Sequence, residues 1–292
     1  MAWAETAMPP ADRLTTADFE RVCRLARQRF GLDLKGGKEE LVAARLGKKV
    51  REMRLGSYRE YLRHVEEDGT GEALIGLIDA LTTNHTSFLR ENSHFEFLRQ
   101  TVLPALGDRA SLEFWSAACS TGEEPYTLAF VLLEELGASA AGRVKILATD
   151  ISTKALAVAG RGVYAAERLE GLPKEWLHRH FLKGSGQWNG HFRVKPEVIR
   201  MIEFRRLNLI EPLPSVGPFP IILCRNVMIY FDRPTQQQVV KSLAGHLEPG
   251  GYLFVGHSES LTGVDHPLAY VRPAIYRNGA RAARGVTPGG RS

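Results

Sequence analysis

Two adjacent carboxylates, Glu123 and Glu124, follow a turn of small residues, Cys119-Ser120-Thr121-Gly122. An apolar run, Leu112–Ala117, leads into that turn. Small side chains let the chain turn tightly and let its backbone approach a ligand. The turn is neither the GxGxxG of dinucleotide folds nor a P-loop, which would end in Lys-Ser/Thr. Paired carboxylates would repel a pyrophosphate, whereas they suit a ligand that carries an ammonium and a sulfonium. The segment Trp115–Tyr126 therefore speaks against a nicotinamide dinucleotide and for S-adenosylmethionine. Asp150 ends a second apolar run, Val144–Thr149, at a place where an acid commonly accepts hydrogen bonds from ribose hydroxyls. Taken singly, Asp150 is equally well read as the first residue before a helix. Two polar clusters complete the inventory, Leu81–Arg90 (LTTNHTSFLR) and Cys224–Asp232 (CRNVMIYFD). Their bland readings are a capped interdomain linker and a surface loop.

These residues need elements to hold them. The chain of 292 residues, 44% hydrophobic and 24% charged, has the composition of a globular protein large enough for about two domains. No apolar run approaches the roughly 20 residues of a membrane helix, and the first residues do not resemble a secretory signal. The three cysteines, Cys23, Cys119 and Cys224, are scattered and lack a CxxC pattern, so reduced thiols in a cytoplasmic protein are expected, with no disulfide and no metal site. The net charge of +5 is local: residues 41–64 hold seven basic and two acidic side chains, so that the rest of the chain sums to about zero.

The first 90 residues read as helices. Thr15 and Asp18 form a capping-box pattern, and Phe19, Val22, Cys23, Ala26 and Phe30 follow helical spacing up to Gly31, a C-terminal cap. A second helix is expected over 38–54, with an apolar stripe of Val42, Leu46, Val50 and Met53 and with Arg45, Lys48, Arg51 and Arg54 fanning around its other side. Ser57 caps a third helix, and Glu72–Leu81 makes a fourth. Beyond Ser111 strands alternate with helices: strands at 112–117, 144–149, 220–224 and 252–256, helices at 126–136, after Ser152, and at 235–247. That rhythm implies an α/β domain with a mostly parallel sheet covered on both faces. Residues 163–205 interrupt it with a hairpin pattern whose tip holds Gly184, Gly186 and Gly190, read as a small inserted antiparallel β-subdomain. The expected division is a helical domain at 14–84, an α/β domain at 85–279 and a disordered tail at 280–292.

TTNHTSFLRE, WSAACSTGEEPYTLA, ATDIS, RRLNL, ILCRNVMIYFD and LEPGGYLFVGHSE, in this order and spacing, resemble the chemotaxis receptor methyltransferases, the CheR family, over almost the whole chain from Thr15 to Tyr276. The resemblance implies a doubly wound class I methyltransferase (Rossmann-like) fold behind an all-helical domain. It implies methyl transfer from S-adenosylmethionine to glutamate side chains of methyl-accepting chemotaxis receptors, with S-adenosylhomocysteine as product. Carried over residue by residue, it places Asn84, Thr86 and Arg90 at the cofactor from the linker. It puts Glu123 there from the first strand's loop, with Glu124 kept open as the closer one. Asp150 falls at the ribose, Asn208 and Leu209 at the adenine, and Arg225 and Asn226 at the border of the pocket. Arg90 and Tyr230 match the pair facing the methyl group. Phe88-Leu89 stands where the family often has two phenylalanines.

A glutamate carboxylate is ionised at neutral pH, so this reaction needs positioning and no general base. An acidic helical receptor surface would meet the basic helix at Arg45, Lys48, Arg51 and Arg54. The loop at 184–190 has the pattern of family members that tether to a receptor's C-terminal pentapeptide by strand addition. A monomer acting in the cytoplasm is expected, without nucleic acid, metal or membrane insertion. A nucleic-acid methyltransferase is disfavoured, because Arg225-Asn226-Val227-Met228 stands where an Asn/Asp-Pro-Pro-Tyr/Phe motif is usual. A cofactor-binding module without catalysis is the other rival, against which both Arg90 and Tyr230 are retained.

Overall fold

The computed structural model describes residues 13–279 except 35, 83, 138 and 139. The tail at 280–292, read as disordered, lies outside the described residues.

The helical domain comprises α1 (Thr16–Phe30), α2 (Glu39–Glu52), α3 (Tyr58–Glu67) and α4 (Glu72–Leu81). Thr15 and Asp18 exchange both capping-box bonds at the start of α1. Gly31 closes it at φ 72°, and a Cβ there would stand 2.8 Å from Ile210 Cγ2 and 2.9 Å from Thr235 Cγ2. Only glycine permits both the left-handed turn and this close approach to the next domain. Val22, Ala26, Leu46, Val50, Tyr61, Leu62 and Leu77 form the domain's core. The second helix is shorter than 38–54. The chain leaves it at Met53 and turns left-handed at Arg54, φ 55°. Met53, expected in the apolar stripe, is therefore 40% exposed. Gly47 is also buried, and Tyr58 packs over it while donating to the Ala43 carbonyl at 2.9 Å.

Ten strands follow: β1 (Leu112–Ser116), β2 (Val144–Asp150), β3 (Val163–Ala165), β4 (Phe181–Lys183), β5 (His191–Val194), β6 (Ile202–Arg206), β7 (Phe219–Leu223), β8 (Leu247–Phe254), β9 (Leu268–Arg272) and β10 (Ile275–Asn278). Seven form one sheet in the order β6-β2-β1-β7-β8-β10-β9, parallel except around β10. The chain runs outward from β1 to β2 on one side and returns to β7 on the other, so the switch point lies between β1 and β7. This is the doubly wound class I arrangement. Successive side chains of β1 serve opposite faces. Phe114 joins the core under the helix Glu123–Leu136, while Trp115 joins that under the helix Arg233–Gly245.

The inserted antiparallel sheet is real, in the order β3-β5-β4. It closes at Val194, whereas β6, read as part of the insert, adds a parallel edge to the main sheet beside β2. The β9–β10 hairpin was not foreseen. β9 is an edge strand with Tyr270 and Val271 exposed, so it lacks an apolar face, and its turn uses Ala274 at φ 63° in place of glycine.

The helical domain is fastened over the carboxyl ends of the strands. Asp79 of α4 accepts from Ser152 Oγ at 2.6 Å and Thr153 Oγ1 at 2.8 Å. Asn208 donates to the Arg29 carbonyl at 2.8 Å, and the Asp33 amide donates to the Tyr230 carbonyl at 2.7 Å.

Candidate active site

A cleft opens at the switch point between the two domains, where doubly wound sheets bind their ligands. It is lined by residues of both domains. Ala117, Ala118, Ser120 and Glu124 line it from β1 and its turn, and Asp150 lines it from β2. Asn208 and Leu209 follow β6, and Arg225, Asn226 and Tyr230 follow β7. The linker contributes Asn84, Thr86 and Arg90. The structure thus brings together every residue read as cofactor-binding or catalytic, with one exception.

The exception is Glu123. It has no solvent exposure, accepts from Thr121 Oγ1 at 2.7 Å and pairs with Arg168 of the insert. Glu124, the alternative, lines the cleft. The helix starts at Glu123, and successive residues on a helix diverge by about 100°, so the two neighbours cannot face the same way. Glu124 accepts from Ser116 Oγ at 2.7 Å and pairs with Arg225 at 2.9 Å. Gly122 permits this start. Its φ is 99°, and a Cβ would stand 2.8 Å from Tyr164 Oη.

Arg225 is the hub. It is 5% exposed and also pairs with Glu91 at 3.0 Å and donates to the Arg90 carbonyl. Glu91 further accepts from Asn226 Nδ2 at 3.2 Å and the His257 amide at 3.1 Å. Burial works to raise the Glu91 carboxyl, but Arg225 and these donors outweigh it and hold it below its ordinary value. Glu259 does the same work for the loop after β7. It accepts from the amides of Gly256 at 2.5 Å, Asn226 at 2.8 Å and Ile229 at 3.2 Å, although burial raises its carboxyl. Leu89, Glu91, Ser120 and Asn226 all have φ between 49° and 58°. Left-handed non-glycine residues are uncommon, and four around one cleft mark a backbone held in place by its surroundings.

Asp150 accepts from the Ser120 amide at 2.8 Å and the Ser152 amide at 2.9 Å, while burial raises its carboxyl. The Ser120 hydroxyl is buried without a hydrogen-bond partner. Such a group costs about 1–3 kcal/mol, which a polar ligand would relieve. Acceptor carboxylates at Glu124 and Asp150, with this free hydroxyl, suit a cationic nucleoside.

Of the basic helix, Arg45 lines the cleft and donates to the Leu81 carbonyl at 2.6 Å. Lys48, Arg51 and Arg54 stay outside it and are exposed. Sequence reasoning missed Glu91 and Glu259, although both stand in quoted motifs. It also missed the segment Leu32–Leu34, which lines the cleft from the helical domain.

Residues 17–82 match the family model described as "CheR methyltransferase, all-alpha domain", and residues 84–275 match "CheR methyltransferase, SAM binding domain". The chain belongs to the CheR methyltransferase family. It is similar to the chemotaxis protein methyltransferase 2 of Pseudomonas aeruginosa, 41% identical over 90% of this chain and 93% of that relative. The chemotaxis protein methyltransferases of Salmonella typhimurium and Escherichia coli are 40% and 38% identical, each over 90% of this chain and covered to 90% and 91%. The cofactor of this family member is S-adenosylmethionine. No helix among the described residues is long and apolar enough to cross a membrane.

Proposed function

We propose that the chain is a protein-glutamate O-methyltransferase that esterifies glutamate side chains of chemotaxis receptors. One observation carries this reading. Arg90 and Tyr230 line the same cleft as Glu124 and Asp150, as does Arg45 of the basic helix. Glu124, in place of Glu123, serves the cofactor's ammonium end, Asp150 its ribose, and Asn208 and Leu209 its adenine. Asn84, Thr86, Arg225 and Asn226 complete the wall. S-adenosylmethionine supplies an electrophilic methyl carbon on a sulfonium.

The acceptor carboxylate, with an ordinary pKa of about 4.3, is already a nucleophile. Arg90 clamps it through its planar fork, and the Tyr230 hydroxyl donates to its second oxygen. Holding the oxygen in line is the whole task, because no proton must be removed. The buried thiols do not compete, since burial pushes both Cys119 and Cys224 well above their ordinary range. Exposed Lys48, Arg51 and Arg54 dock the acidic receptor helix, with Arg45 at the cleft. The loop at 184–190 joins β4 to β5 in the insert and carries exposed Trp188, and the edge strand β4 carries exposed Leu182. That edge supports strand addition by a receptor's C-terminal peptide. The protein acts as a monomer in the cytoplasm.

Incubation with methyl-labelled cofactor and receptor-containing membranes, followed by mild alkali, tests the reading. Volatile methanol is expected. Alkali-stable label would point to N-methylation and sink it.

A further inference from the structure

Beside Arg225 and Asn226, but not among the cleft-lining residues, lie three potential ligands, Glu91, His94 and His257. One donor atom from each lies within 4.8 Å of the others. His94 is 1% exposed, and neither ring nitrogen has a hydrogen-bond partner. Buried polar groups are nearly always paired, so a doubly orphaned imidazole needs an explanation. Its stacking on Phe254, centroids 5.2 Å apart, accounts for the ring plane but leaves both nitrogens unsatisfied.

His257 follows β8, is exposed, and meets His94 edge-on at 4.9 Å. Its Nε2 lies 3.0 Å from Ser93 Oγ. Glu91 Oε2 stands 3.7 Å from His94 Nδ1, beyond a hydrogen bond. Two ligands on one tetrahedral zinc, each about 2.1 Å from the ion, stand about 3.4 Å apart. Two imidazoles and one carboxylate with an open fourth position form a recurrent zinc set.

We propose that Glu91, His94 and His257 bind a divalent transition-metal ion of the zinc type, and that filling this site weakens the cofactor cleft. The coupling follows from a shared ligand. Glu91 is the carboxylate that holds Arg225 and Asn226, so an ion that takes it releases two residues of the cleft wall. Antagonism between two sites is reciprocal. The metal site stands on its own geometry, whereas the coupling rests on the cofactor reading above.

Titration of the full chain with Co²⁺, read by visible absorption, tests the site. Wild-type protein is expected to show saturable tetrahedral bands that Zn²⁺ displaces. His257→Asn keeps the backbone amide that Glu91 uses and lies at the surface. It is expected to weaken binding by more than about 100-fold, beyond the loss of an outer-shell partner. Absence of saturable bands, or equal binding by H257N, overturns the site. Calorimetry of S-adenosylhomocysteine with and without Zn²⁺ tests the coupling. Weaker binding with Zn²⁺ in wild type but not in H257N is expected, and equal affinity in wild type overturns the coupling. Failure of S-adenosylhomocysteine to bind without any metal would instead overturn the cofactor reading.

Discussion

Glu124 and Arg225 form an ion pair of 2.9 Å with side chains only 10% and 1% exposed. The pair ties the helix after β1 to the loop after β7, across the switch point. Breaking a buried pair by removing one partner leaves an uncompensated charge, at about 3–5 kcal/mol. Glu91 still holds Arg225, so Glu124→Gln is expected near the lower end, read as a shifted denaturant midpoint. It should also weaken S-adenosylhomocysteine binding at least about tenfold, while Glu123→Gln leaves that affinity within a few-fold. The reverse ranking in calorimetry would return the cofactor role to Glu123.

The contrast between these neighbours shows what the sequence could carry. Strand–helix alternation, the Thr15 cap and the insert's hairpin depend on local periodicity and turn chemistry, so they were legible. Asp150 was read from its place at a strand end, whereas Asn208 and Tyr230 came from the family resemblance that RRLNL and ILCRNVMIYFD carry. Whether Glu123 or Glu124 enters the cleft depends on where the helix starts and on Arg168, 45 residues away, which no local pattern encodes. Glu91 and Glu259 were hidden for the same reason, because their partners Arg225 and Asn226 are distant in sequence. Met53 failed because its helix ends at Glu52, two residues short of the expected end.

Arg90 is flanked by left-handed residues at 89 and 91 and donates to the His85 carbonyl at 2.8 Å. Its backbone is fixed, so its fork is preorganised for a carboxylate. Arg90→Ala is expected to lower kcat/KM for receptor methylation by about 10²-fold or more. Arg90→Lys keeps the charge but loses the bidentate geometry, and should recover little. Retention of the rate within a few-fold by Arg90→Ala would remove the clamp from the mechanism.

Lys48, Arg51 and Arg54 are exposed, so charge reversal there should change stability by no more than about 0.5 kcal/mol. If these side chains dock an acidic helix, the triple variant K48E/R51E/R54E raises KM for receptor with little change in kcat. The wild-type rate should fall as salt rises and the Debye length shrinks below about 8 Å, and the variant should lose most of that dependence. Identical salt profiles would show a face that is merely solvated.

His180 ends the helix Lys174–His180 of the insert, stacks on Phe130 at 4.6 Å and lies 2.8 Å from Glu134 Oε1. Burial pushes its pKa below the ordinary 6.5, although Glu134 opposes this. As pH falls through 6.5 the unfolded chain takes up a proton that the fold still refuses, so stability declines until the lower folded value is passed. Above about pH 7.5 both forms are neutral and the contribution is flat. His180→Gln should therefore lose less stability than wild type between pH 7.5 and 5.5, measured by denaturant midpoints. Buried His94 steepens the decline equally in both proteins, which makes their difference the readout. Parallel pH profiles would mean that Glu134 fully offsets the burial of His180.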